Sequence, residues 1–96
     1  MKREGILKAG LRAVGARHRH YGSPRANFEA IGRRWSAHIK NEFGLDVVFS
    51  AASVALMMVD VKLARLEHDP NHADSWIDIG GYGACGGEAA TDRGRK

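Results

Sequence analysis

Two aspartates, Asp74 and Asp78, stand four residues apart in a chain of 96 residues. On a helix that spacing puts both carboxylates on one face. Carboxylates held so close repel each other unless positive charge neutralises them. A divalent cation does this, and Mg²⁺ commonly takes one or two carboxylates together with substrate phosphates. Mn²⁺ accepts the same ligands. A plainer arrangement is also open: Asp74 caps the helix start, where negative charge suits the dipole, and Asp78 pairs with a neighbouring arginine. Tyr82 continues the same face. Lys62 and Arg65, three residues apart, can grip phosphate oxygens, the arginine with two parallel hydrogen bonds. Alternatively both stems run past apolar surface to solvent.

Other groups are less committed. His68 and His72 flank Asp69 in His-Asp-Pro-Asn-His. Imidazole and carboxylate suit zinc or manganese, but Pro70 keeps the two histidines off one helical face and the spacing is not a zinc pattern. Arg17, His18, Arg19, His20, Tyr21, Gly22 and Arg25 form a basic aromatic stretch read as a loop. It can stack a base and hold phosphate, or be a solvated turn with Tyr21 packed on Trp35. Asn27 follows closely enough to approach a base or sugar with Tyr21. Trp35 and Trp76 read as core. Cys85 sits among small residues with no basic neighbour in sequence, which argues against a nucleophile. No phosphate-binding Gly-rich loop, Ser-His-Asp order or HExxH is present.

Four helical segments must position these groups. The first spans about 4–17, with Ile6, Leu7, Leu11 and Val14 at helical spacing, and Tyr21-Gly22-Ser23-Pro24 signals a turn. The second spans about 25–43 and carries Phe28, Ile31, Trp35, Ile39 and Phe43 on one stripe, with Gly44 placed to stop it. Residues 45–49 read as a loop, since a single strand has no partner. The third spans about 51–67 and is apolar on every side from Val54 to Val59, which predicts a central helix. Asp69-Pro70-Asn71 breaks the chain. The fourth spans about 73–90 and holds glycines at 80, 81, 83, 86 and 87, which leave flat surface for close backbone approach. The predicted architecture is all-α: a compact bundle of about four helices in one domain over 1–90, with a disordered basic tail at 91–96.

Residues 1–40 carry ten Lys/Arg against two acids, and residues 41–96 carry five against nine, giving +8 and −4. A uniformly basic nucleic-acid coat does not have this distribution. A phosphate site beside acid-held metal does, and so does a bundle whose helices pair by opposite charge. One cysteine allows no internal disulfide and fits a reducing compartment. The start reads as no signal peptide and no apolar run is of membrane-spanning length, so the expected location is cytoplasmic, with no membrane partner. A helical chain this short buries little surface, which makes a homo-oligomer the expected state.

The order Tyr21-Gly22, Asn27-Phe28, Trp35-Ser36-Ala37, Val54-Ala55-Leu56-Met57-Met58, Lys62-Leu63-Ala64-Arg65-Leu66 and His72-Ala73-Asp74-Ser75-Trp76-Ile77-Asp78-Ile79-Gly80-Gly81-Tyr82 resembles a family of small phage and prophage proteins described as a domain of unknown function. The likeness covers roughly residues 15–90 and implies a phage or prophage setting. More remotely the chain resembles the MazG-type all-α nucleoside triphosphate pyrophosphohydrolases and phage nucleotide-modification-associated domains. The MazG-type likeness implies an oligomeric helical bundle that releases a nucleoside monophosphate and pyrophosphate, using magnesium held by acids on two helices. Those proteins carry a Glu-x-x-Glu pair and then a Glu-x-x-Asp pair. Here the third helix offers only Asp60 and Glu67, and the fourth offers Asp74 and Asp78 at spacing four. Asp78 matches the final aspartate.

Two functions of different classes follow. In the first the chain handles nucleotides, as a Mg-dependent pyrophosphohydrolase-like domain in which Asp74 and Asp78 hold the metal and act in catalysis, Lys62 and Arg65 meet phosphates, Tyr21 and Asn27 approach the base or sugar, and Tyr82 also contacts the substrate. In the second it is an accessory protein without catalysis, binding nucleic acid through its basic half or binding a host factor.

Overall fold

A computed structural model describes residues 1–92. Four helices follow in order: α1 (Arg3–Tyr21), α2 (Pro24–Phe43), α3 (Ala51–His68) and α4 (Ala73–Thr91). Residues 45–49 are irregular, as predicted, and no strand occurs among the described residues. The all-α bundle of four helices is therefore what the sequence pattern indicates. The predicted tail falls on 93–96, outside the described residues, and on Thr91 and Asp92. Thr91 is the last residue of α4 rather than tail, its hydroxyl bonded to the Gly87 carbonyl at 2.7 Å.

Local chemistry sets the helix ends. Ser23 precedes α2 and its hydroxyl accepts from the Ala26 N–H at 3.2 Å, with Pro24 at the first helical position. Gly44 closes α2 with φ of 70°, a left-handed conformation that glycine takes without steric cost. Ser50 caps α3 through the Ser53 N–H at 3.1 Å. Between α3 and α4, the Asn71 N–H donates to Asp69 Oδ1 at 3.1 Å, folding the Asp-Pro-Asn turn. The first helix runs four residues beyond its expected end. No helix breaker stands between Arg17 and Gly22, and His18, Arg19 and His20 in the last turn suit the negative end of the helix dipole. The basic aromatic stretch is thus the end of α1 and not a loop.

The helix at the centre is α4, which touches α1, α2 and α3, whereas α1 and α3 do not pack on each other. The α3–α4 contact is the closest. A Cβ built on Gly86 would lie 2.7 Å from the Ala55 Cβ. This corrects the placing of α3 at the centre. Its all-apolar stretch is covered on one side only, leaving Leu56 66% and Met57 37% exposed. The core joins Phe28, Ala51, Val54, Ala55, Cys85 and Ala89, flanked by partly buried Val14, Ile31, Trp35, Phe49, Met58 and Tyr82. Trp35 meets Phe49 edge-on at 5.9 Å, not Tyr21. Trp76 is not core: it is half-exposed, and its indole N–H donates to the Pro70 carbonyl at 2.9 Å. Arg25 reaches from the start of α2 to the end of α4, where its guanidinium donates to the Ala89 and Asp92 carbonyls. Positive charge there complements the negative end of the α4 dipole.

Candidate functional site

The last turns of α1, the start of α2 and the middle of α4 converge on Arg17. Its guanidinium carbon lies 4.9 Å from the ring centre of Tyr21 and 5.2 Å from that of Tyr82. Arg17 and Tyr21 share a face of α1 because they are four residues apart. Tyr82 reaches them from α4, its ring tilted against that of Phe28 at 6.4 Å between centres. The two rings hold the cation by their negative faces, a geometry that fixes a flexible side chain without neutralising it.

Two cavities adjoin at this arginine. The smaller, about 160 Å³, is lined by Val14, Arg17, Asp78, Gly81, Tyr82 and Cys85. The larger, about 420 Å³, is lined by Arg17, His18, Arg19, Tyr21, Asn27 and Glu88, among others. Asp78 and Tyr82 therefore border one cavity, Tyr21 and Asn27 the other, and Arg17 both.

Lys62 joins this group through Asp78. Its Nζ lies 3.1 Å from Asp78 Oδ2, across the α3–α4 contact, with the lysine side chain 22% and the aspartate 39% exposed. The partner of Asp78 is this lysine and not an arginine. Arg65 points elsewhere: its Nη1 lies 3.5 Å from His72 Nε2, while His72 Nδ1 is 2.8 Å from the hydroxyl of buried Ser75. Since arginine only donates, Nε2 is the accepting nitrogen and Nδ1 carries the proton toward Ser75. His72 is thus held in a hydrogen-bonded turn. Asp74 sits exposed in the first turn of α4, where its charge suits the dipole. It makes no helix cap, borders neither cavity and forms no ion pair among the described residues.

The donor set bears on a metal. No group of three or more His, Cys, Asp or Glu side chains able to hold a cation occurs among the described residues. Asp74 and Asp78 alone suit an ion that arrives already ligated by phosphates, not one held by protein ligands only.

Cys85 borders both cavities, a placement its sequence neighbours do not disclose. Burial pushes its thiol up from the ordinary value, the Arg17 charge opposes that shift and the Glu88 charge adds to it. The thiolate is the reactive form. At pH 8, Ellman's reagent is expected to label Cys85 of the native chain much more slowly than the urea-unfolded chain. Equal rates would show that the thiol is neither buried nor protonated as placed.

Residues 5–90 match the family described as Domain of unknown function (DUF6378). The chain belongs to this family. It is 35% identical over 83 residues to the Gene 55 protein of Mycobacterium phage D29, an overlap of 85% of this chain and 51% of that protein. It is 35% identical over 68 residues to the Gene 55 protein of Mycobacterium phage L5, covering 71% of this chain and 40% of that one. The chain thus spans about half or less of the length of these phage relatives. No solved structure matches it. The phage association implied by the order of its segments is borne out. Every residue of the site described above, from Arg17 to Glu88, lies inside the stretch shared with DUF6378.

Proposed function

We propose that this phage-associated chain is a nucleotide-binding protein of the host cytoplasm whose site is the pair of cavities meeting at Arg17. The observation that carries the reading is Arg17 held between Tyr21 and Tyr82 where the cavities join. A nucleotide needs an aromatic face for its base, amide or hydroxyl groups for base edge and sugar, and cations for phosphate. Tyr21 and Asn27 offer the first two in the larger cavity, and Arg17 with Lys62 the third beside the smaller one. Tyr21, 58% exposed, keeps its outer face available, whereas Tyr82 is backed by Phe28.

In the finer form of this proposal the chain acts on the nucleotide as a pyrophosphohydrolase. Asp74 and Asp78 would hold Mg²⁺ or Mn²⁺ brought in by the polyphosphate, and that ion would supply charge neutralisation at the phosphoryl oxygens. The chain's own part is to present Lys62. The ion pair holds Nζ 3.1 Å from Asp78, a residue that lines the smaller cavity, so a phosphate that draws Lys62 away leaves the Asp78 carboxylate without its counter-charge. Arg65, tied to His72, orients the α3–α4 turn.

The test is calorimetric titration with ribo- and deoxyribonucleoside triphosphates, with and without Mg²⁺, followed by ion-exchange chromatography of products. Binding by the wild type, weakened at least tenfold in Arg17→Ala with helicity retained, supports the site. Release of monophosphate and pyrophosphate, lost in Asp78→Asn, supports the finer form. Absence of nucleotide binding overturns both. The exposed face of α2, with Arg33, Arg34 and His38, would then favour the second reading, phosphate-backbone contact with nucleic acid, recognised by affinity that falls steeply with salt.

A further inference from the structure

We infer that a second copy of this chain packs on the exposed apolar stripe of α3. Ala52, Leu56, Val59 and Leu63 follow one another at intervals of four, three and four residues, the spacing of a helix-pairing seam. Leu56 is 66% and Leu63 50% exposed on this stripe.

The area asks for a partner of substantial size. The chain exposes 7086 Å². A folded monomer of 10.5 kDa is expected to expose roughly 5,400 Å². The surplus of about 1,700 Å² exceeds the roughly 800 Å² per partner that a standard interface covers. Shape agrees. The radius of gyration is 14.7 Å, against about 12.5 Å expected for this length, and the shortest extent is 21 Å, near the thickness of two helix layers. Among the described residues the largest fully buried side chains are Phe28, Val54 and Ser75.

A copy of the chain fits better than an unrelated occupant for two reasons. A twofold axis pairs a patch with itself, so one apolar stripe serves both sides. Charge also complements. Asp60 and Glu67 lie along one edge of the stripe and form no ion pair among the described residues, while residues 1–40 carry ten Lys/Arg against two acids. A second copy carries the same basic half, which supplies charge opposite to that of the acidic edge.

Sedimentation velocity of the full chain over a wide concentration range tests this directly. The expected result is a mass twice the 10.5 kDa of one chain, falling twofold in the Leu56→Glu, Leu63→Glu double variant while far-UV circular dichroism stays helical. A wild type that remains at single-chain mass at the highest concentration overturns the proposal, as does a folded double variant that keeps the double mass. If the double variant loses its helicity, oxidation of Leu56→Cys and Leu63→Cys decides. A covalent dimer forming in either, faster than in Lys8→Cys on α1, supports the seam. Rates no faster than that control overturn it.

Discussion

Phe28→Ala is expected to cost about 3–5 kcal/mol and to leave much of the chain unfolded at physiological temperature. Phe28 is wholly buried near the start of α2, the one large ring among small core neighbours: Ala51, Val54, Ala55, Cys85 and Ala89. None of these can extend into the space that truncation would leave, so the cavity stays open and its lining loses contacts. A chain of this length has a total stability of roughly 5–14 kcal/mol, so the loss consumes a large part of it. The same ring supports Tyr82, which in turn holds Arg17. Urea unfolding followed by circular dichroism is the check: the midpoint should fall sharply with the slope unchanged. Phe28→Leu, which keeps most of the volume, should fall much less. A loss under about 1 kcal/mol for Phe28→Ala would place the core elsewhere.

The fold was largely legible because its punctuation is local. Ser23-Pro24, Gly44 and Asp69-Pro70-Asn71 act within one turn of where they stand. The end of α1 was misplaced because Arg17 to Tyr21 contains no breaker, and its basic residues suit a helix C-terminus as well as a loop. The covered side of α3 could not be read, since a stretch apolar all round contains no signal of which face is buried. The site was legible only as far as helical spacing reaches. Spacing of four aligned Asp74, Asp78 and Tyr82, yet says nothing of what stands opposite. Lys62 meeting Asp78, Arg65 turning to His72 and Arg17 reaching Tyr82 all depend on how α1, α3 and α4 cross. The spacing of Arg17 and Tyr21 was the available signal for the arginine at the centre of the site.

How those helices cross depends on Gly86, and Gly86→Val is expected to destabilise the chain by about 2–3 kcal/mol. The position is buried, and a Cβ there would stand 2.7 Å from the Ala55 Cβ, which is fixed to the α3 backbone and cannot swing away. The helices must separate or slide. That would pull Asp78 from Lys62, whose 3.1 Å contact crosses the same α3–α4 interface. Neighbouring Gly87 supplies the control, because nothing lies within 4 Å of its would-be Cβ. Gly87→Ala should therefore stabilise by up to about 1 kcal/mol through helix propensity. The mechanism itself is testable by double-mutant cycle. Ala55→Gly alone costs about 1 kcal/mol in propensity, but combined with Gly86→Val it removes the colliding methyl and should recover part of the loss. Simple additivity of the two losses would show that Gly86 is required for a reason other than close approach of α3 and α4.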